Sequence, residues 1–251
     1  MERVYRMELQ YDGTGLHGWA KQDGLLTVEG SLEEALCTVF GRSPTLCVAG
    51  RTDAGVHARR QVVSLRLPAG TDLPRLTRSL NALTAPGIAI MRVSRAHDGF
   101  DARRDATSRA YRYHLAVSPV VSPFWRRYCW QVLGGLDAGL LRNTAALVIG
   151  RHDFTAFTPA ETEHVFFHRQ VTRCAWKRMR GGPGMLYLEI EAEAFLRHMV
   201  RTLVGTMVEV AQGKRTPDDF ESLLQGSRRE AAGATAPPHG LFLWDVKYQR
   251  R

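Results

Sequence analysis

The sequence predicts an α+β protein in two parts, built mainly on antiparallel sheets. Short stretches in which apolar and polar residues alternate recur along the chain, and amphipathic helical stretches lie between them. With 251 residues, 44% hydrophobic and 9% aromatic, the chain can form one large domain or two small ones with a sizeable core. Sheets with one wet face are usually antiparallel, so alternation rather than continuous apolar runs decides the class.

The elements follow in order. Tyr5, Met7, Leu9 and Tyr11 point one way and Arg6, Glu8 and Gln10 the other, as in a half-buried strand. A helix over about 28–40 places Val28, Leu32, Leu36 and Val39 on one face. After the strand Gln61-Val62-Val63-Ser64-Leu65, a helix over 73–83 carries Leu73, Leu76, Leu80 and Leu83. The charged stretch 92–109 reads as a crossover, which divides the chain into residues 1–105 and 106–251.

In the second half Tyr111-Tyr113-Leu115-Val117 alternates, and a helix over 137–149 stops at Gly150. Leu188, Ile190 and Ala192 alternate against Glu189, Glu191 and Glu193. The longest helix spans about 196–212 and buries Leu196, Val200, Leu203, Met207 and Val210. Thr216 can cap a helix over 217–225, with Pro217 in its first turn, Asp219 three residues from the cap and Gly226 at its end. Phe242, Trp244, Val246 and Tyr248 share one face of a last strand.

Charge narrows the partner. Lysine and arginine total 34 against 25 acidic residues, a net charge of +9, and 30 of the 34 are arginines. Arginine binds phosphate through two parallel bonds and stacks on bases, so the balance favours nucleic acid. Codon bias accounts for the Arg:Lys ratio but not for the positive excess. No apolar run approaches the ~18–20 residues that span a bilayer, and the N-terminus lacks a signal-peptide core. Cys37, Cys47, Cys129 and Cys174 lie far apart, without a Cys-x-x-Cys pair or clustered histidines. That reads as reduced thiols in a cytoplasmic protein with no membrane association and no metal.

Gly13-Thr14-Gly15-Leu16-His17-Gly18 fits the dinucleotide fingerprint and follows a predicted strand. The strand alternates, however, where a Rossmann first strand is buried on both faces. Residues 19–24 also do not read as a helix start. These glycines more reasonably form a loop that a backbone or nucleotide approaches closely. A nicotinamide-dependent oxidoreductase would rest on this fingerprint alone.

Chemistry concentrates in Gly50-Arg51-Thr52-Asp53-Ala54-Gly55-Val56-His57-Ala58. In an extended segment Arg51 and Asp53 project the same way. A guanidinium nearby keeps a carboxylate ionised, ready to act as nucleophile or base. The alternative is an Asp closing a turn, with Arg51 in a surface ion pair. His57 and His198 read as structural.

Residues 50–58 resemble the G-R-T-D-x-G-V-H-A signature of the tRNA pseudouridine synthase A family, and six further blocks resemble it in the family's order. These are Tyr11-Asp12-Gly13-Thr14 with Gly18-Trp19, Val28-Glu29-Gly30-Ser31-Leu32-Glu33, Tyr111-Arg112-Tyr113, and His152-Asp153-Phe154-Thr155-Ala156-Phe157. Phe195-Leu196 with His198-Met199-Val200-Arg201, and Ala232-Gly233-Ala234-Thr235-Ala236-Pro237 with Gly240-Leu241, complete the set.

The resemblance implies the pseudouridine synthase fold, with two α+β halves meeting at a central catalytic cleft, and a homodimer. It implies isomerisation of uridine to pseudouridine at positions 38–40 of the tRNA anticodon stem-loop, without metal or cofactor. It assigns the essential carboxylate to Asp53, base stacking to Tyr111, and cationic pocket positions to Arg51 and Arg201. Whether Asp53 attacks base or sugar, or removes a sugar proton, stays open. A base within a stem must be flipped out, and an aromatic face stabilises it there by about 1–3 kcal/mol. Apart from the resemblance, the alternative for Tyr111 is core packing in its strand, and for Arg201 a helix arginine facing solvent, against which its place among Met199, Val200 and Leu203 favours partial burial.

Arg59-Arg60, Arg103-Arg104 and Arg126-Arg127 read as phosphate contacts. The chain departs from the family pattern at Ala20, Arg60, Arg104, Asp105, Glu193 and Thr202, which touches RNA contact rather than Asp53. The rival from another class is a catalytically idle RNA-binding protein of the same fold, against which the intact Asp53 loop argues.

Overall fold

The computed structural model of the chain describes residues 1–162, 164–179 and 184–249. Its elements are β1 (Glu2–Tyr11), α1 (Val28–Phe40), β2 (Cys47–Val48), β3 (His57–Pro68), α2 (Leu73–Leu83), β4 (Ile88–Arg95) and β5 (Ala106–Ala116). There follow β6 (Trp130–Gln131), α3 (Ala138–Leu147), β7 (Gly150–Asp153), β8 (His168–Arg178), β9 (Met185–Ala192), α4 (Met199–Ala211), α5 (Pro217–Leu223) and β10 (Leu241–Tyr248). They fall into two compact units, Met1–Thr107 with the chain from Phe242 onward, and Ser108–Leu241. The fold is α+β with mainly antiparallel pairing, as the alternating strands require.

In the first unit β1 lies between antiparallel β3 and β4, and β2 pairs antiparallel with β3. The expected inward set Tyr5, Met7, Leu9 and Tyr11 is buried. α1 begins where Thr27 Oγ1 accepts the Gly30 N–H at 3.2 Å, and ends at Gly41. Its buried face is Val28, Leu32, Ala35 and Leu36; Val39, expected on that face, is exposed in the last turn. Likewise α2 buries Leu76 and Leu80 but exposes Leu83 at its end. Helix ends project past the surface on which the helix packs, so a periodic stripe overstates burial there.

The last strand corrects a second expectation. β10 pairs parallel with β3 at Phe242↔His57 and Leu243↔Ala58, and buries Leu241, Leu243 and Val246. Phe242, Trp244 and Tyr248 are only half-buried. Phe242 instead stacks on the His57 ring at 4.5 Å. Aromatic residues at alternate positions signal a strand without saying which face meets the core.

In the second unit the order is β5-β9-β8-β7, all antiparallel, with β6 parallel to β5. α4 packs against α3 and α5 and is buried on nearly every side, including Val200, Leu203, Met207 and Val210. It begins at Met199, so buried Leu196 lies in the approach to it, and the chain turns in through His198 at φ 60°. The capping box of α5 forms, with Thr216 Oγ1 accepting the Asp219 N–H and Asp219 Oδ2 accepting the Thr216 N–H, both at 3.0 Å. β9 departs from its reading as a strand with one wet face, because Glu189 and Glu191 are themselves buried.

Candidate active site

Asp53 sits on the loop joining β2 to β3, half-buried, while Arg51 beside it is exposed. The loop is pinned to residues 16–19 and closed on itself. Trp19 N–H donates to the Thr52 carbonyl at 3.0 Å, Gly55 N–H to the Leu16 carbonyl at 3.1 Å, and Val56 N–H to the Asp53 carbonyl at 3.1 Å. The close approach of the two segments explains Gly13 and Gly18. A Cβ on Gly13 would lie 2.3 Å from the Val56 carbonyl oxygen, and one on Gly18 2.8 Å from that of Thr52, where φ is also +88°. No helix starts until Val28, so the fingerprint is a buttress for the Asp53 loop and not a dinucleotide site.

Beneath the loop lies a buried polar network that the sequence does not announce. Gln61 Nε2 donates to the Gly50 carbonyl at 2.7 Å and to the Tyr11 hydroxyl at 3.2 Å. The Tyr11 hydroxyl bonds Thr52 Oγ1 at 2.7 Å. Burial pushes the Tyr11 phenol up to about 12, against the pull of its Thr52 and Gln61 bonds, so it remains a neutral donor. The available signal was Tyr11 itself, since a tyrosine on a buried strand face must find its hydroxyl a partner.

His57 is fully buried, its ring against Phe242, and the Gly13 N–H donates to its Nδ1 at 2.9 Å. Asp12 Oδ1 lies 3.1 Å from the same nitrogen and accepts the Thr14 N–H at 2.9 Å, closing the turn.

In the second unit Tyr111 lies on β5, largely buried, with its ring edge-on to Phe195 at 5.0 Å between centroids. Arg201, in the first turn of α4, donates from Nε to the Ala236 carbonyl at 2.8 Å, and Ala236 N–H returns to the Arg201 carbonyl at 3.1 Å. The loop 232–237 is bound to α4 along its length. Thr206 Oγ1 accepts the Gly233 N–H, Glu209 Oε1 accepts the Ala234 N–H, and Thr202 bonds Thr235. A Cβ on Gly205 would lie 1.8 Å from the Ala234 carbonyl oxygen, so helix and loop touch backbone to backbone. Tyr113 adds a bond from its hydroxyl to the Pro237 carbonyl at 2.9 Å.

These two frameworks carry the blocks that resemble the pseudouridine synthases, and comparison with known proteins agrees. A family model described as tRNA pseudouridine synthase matches residues 144–249. A tRNA pseudouridine synthase A of Chlorobium chlorochromatii is 39% identical over 98% of this chain and all of its own length. The protein of the same name from Bacillus subtilis is 37% identical over 96% of this chain and 97% of its own. The chain belongs to the tRNA pseudouridine synthase A family.

For a member of this family, several departures acquire local explanations. Arg60 donates to Glu8 at 3.2 Å and Asp245 at 3.0 Å, so it is neutralised within the sheet; its side chain stays exposed. Arg59, Arg103, Arg104, Arg126 and Arg127 are exposed. Asp105 Oδ2 accepts the Asp101 N–H at 3.1 Å, and Asp101 Oδ1 accepts the N–H groups of Arg103 and Arg104 at 2.8 Å, which shapes that turn. Thr202 is buried against Thr235, and the Glu193 carbonyl accepts from Arg109 at 2.7 Å. For Ala20 the structure offers no explanation. Among the described residues no group of three or more His, Cys, Asp or Glu is placed to hold a metal ion, and no helix is long and apolar enough to cross a membrane.

Proposed function

We propose that the chain isomerises uridine to pseudouridine at positions 38–40 of the tRNA anticodon stem-loop, with Asp53 as the essential carboxylate. The observation that carries this is a half-buried aspartate on a loop pinned at Thr52 and Gly55 and by buried Gln61. A carboxylate that merely closed a surface turn would need no such support. Preorganisation of this kind lets a charged group meet a developing transition state without moving at the moment of reaction.

The reaction breaks the bond from uracil N1 to ribose C1′, turns the base, forms the bond from C5 to C1′, releases the hydrogen at C5 as a proton and leaves N1 to take up a proton in its place. Nothing is oxidised or reduced, so no cofactor is called for. Asp53 supplies the ionised carboxylate, acting at the base or at the sugar. Tyr111 offers a fixed aromatic face for the flipped base, its ring held by Phe195. Arg51 supplies positive charge beside the carboxylate, and Arg201 supplies it to the RNA. Arg201 is the more rigid of the two, being tied to Ala236. The protein works as a homodimer in the cytoplasm, where its tRNA substrate is found.

The test is tritium release from unmodified tRNA carrying 5-tritiated uridine. Wild type should release tritium, whereas Asp53→Ala should bind tRNA with near-normal affinity and release none, since phosphate contacts dominate binding. Near-normal turnover by Asp53→Ala would remove Asp53 from its assigned role. No release by wild type, with tRNA bound, would defeat the activity itself.

A further inference from the structure

The face of the β5–β9–β8 sheet opposite Tyr111 has no part in the chemistry described above. Adjacent residues on a strand point to opposite faces, so Arg112 lies behind Tyr111. There Arg112 donates to Glu189 Oε2 from Nε at 3.0 Å and from Nη2 at 2.7 Å. Arg173 Nη1 and Lys177 Nζ, both from β8, converge on Glu189 Oε1 at 2.9 Å each. Three cations thus surround one carboxylate, and with Glu191 two residues along the same face of β9 also acting on Arg173, the cluster keeps a positive excess. Glu189 is 8% exposed, whereas Arg173 is 56% and Lys177 43% exposed. The carboxylate fixes the cations in place, and Arg173 and Lys177 reach solvent.

The cluster continues along the face through aromatic rings. Arg112 lies 4.7 Å over the Tyr187 ring, Tyr187 meets His114 edge-on, and His114 meets Trp125 edge-on. His114 Nδ1 also donates to the Tyr128 carbonyl at 3.2 Å. This seats a turn in which the Ser122 carbonyl accepts from Trp125 and Arg126, and the Trp125 carbonyl accepts from Tyr128. The same turn carries exposed Arg126 and Arg127, with Phe124 83% exposed beside them.

We propose that this strip is a docking surface for the phosphate backbone of tRNA, separate from the residues that handle the target uridine; the proposal rests on the tRNA-modifying function assigned above. The exposed head groups of Arg173 and Lys177, drawn to one carboxylate oxygen, repel one another, and a phosphate accepting from both relieves that repulsion. Charge also disfavours a second copy of the chain as occupant. A two-fold interface centred on the Glu189 cluster would place Arg173 and Lys177 against their own copies, positive on positive.

The test measures affinity for transcribed tRNA across a salt series. Arg173→Gln/Lys177→Gln keeps Arg112 on Glu189, so the carboxylate is not left unpaired. Arg126→Gln/Arg127→Gln leaves the Glu189 cluster untouched and serves as an independent arm. Arg142→Gln/Arg151→Gln, exposed arginines on α3 and β7, removes equal charge elsewhere. Each strip variant should weaken binding at least fivefold, with KM rising in step. Each should also flatten the dependence of log affinity on log salt by about 0.7–0.9 for every phosphate the variant no longer engages. The control pair should stay within twofold of wild type.

Strip variants that bind like the control overturn the proposal. So does a change in sedimentation without a change in tRNA affinity, which would make the strip a self-association face. Tritium release by wild type in the same preparation separates the two readings. Release with unaltered strip variants sinks the docking surface alone, and weakened strip variants without release sink the activity alone.

Discussion

Gln61 carries no reactive group, yet it ties Gly50 to the Tyr11–Thr52 pair and so fixes the chain immediately before Asp53. Replacing it with leucine keeps the bulk but leaves a buried carbonyl and a buried hydroxyl short of a donor. The expected cost is about 1–3 kcal/mol of stability, read from urea unfolding. Asp53 loses its fixed position as well, so kcat for tritium release should fall more than tenfold while KM for tRNA changes little. A variant that loses stability but keeps kcat would show the network to be structural only. Asp53 and Arg51 stood out in the sequence because a cation, an acid and an imidazole between two glycines form a local pattern. Gln61 did not, because its partners come from the end of β1 and from the loop after β2. Only the fold brings those segments together.

Among the elements, β9 shows where alternation misleads. Glu189, Glu191 and Glu193 read as a solvated face because charged residues are rarely buried unless paired. Pairing depends on neighbouring strands, and here β5 supplies Arg112 while β8 supplies Arg173 and Lys177. Burial works against the charged form of Glu189, but hydrogen bonds from Lys177, Arg173 and Arg112 outweigh it and bring its pKa down to about 2 from 4.5. An acid whose folded pKa is depressed stabilises the protein above its unfolded pKa, and the gain is lost as pH falls through the folded value. Glu189→Gln should therefore be less stable than wild type by roughly 1–3 kcal/mol at neutral pH. Urea unfolding should show the gap closing between about pH 4.5 and 2. A gap that is constant over that range would assign the loss to packing. The capping box of α5 was legible for the opposite reason, since both its partners lie within one turn of sequence.

At the scale of the whole molecule, the chain leaves its first unit near Thr107 and returns to it at Phe242. Chain order alone groups 242–248 with the residues before it, and the alternation of that strand does not say which sheet receives it. What receives it is visible only in the folded chain. Phe242 stacks on His57, Asp245 takes Arg60, Tyr248 donates to the Ala102 carbonyl at 2.7 Å, and Arg6 lies 4.6 Å over the Tyr248 ring. Leu243 and Val246 are fully buried. Each such side chain contributes about 1.5–3 kcal/mol, and the Tyr248 hydrogen bond about 1 kcal/mol more. The sum is comparable with the 5–15 kcal/mol by which a typical domain is stable. A chain ending at Leu241 should therefore lose more than a tail. Hydrogen exchange should show protection collapsing in β3 and β1, including around His57 and hence at the base of the Asp53 loop. Amides of α4, which belong to the other unit, should stay protected and act as the internal reference. Protection of β3 equal to that of the intact chain would mean that β10 only covers a unit already complete. Loss in both units together would mean that they unfold as one, a cooperativity no local sequence pattern encodes.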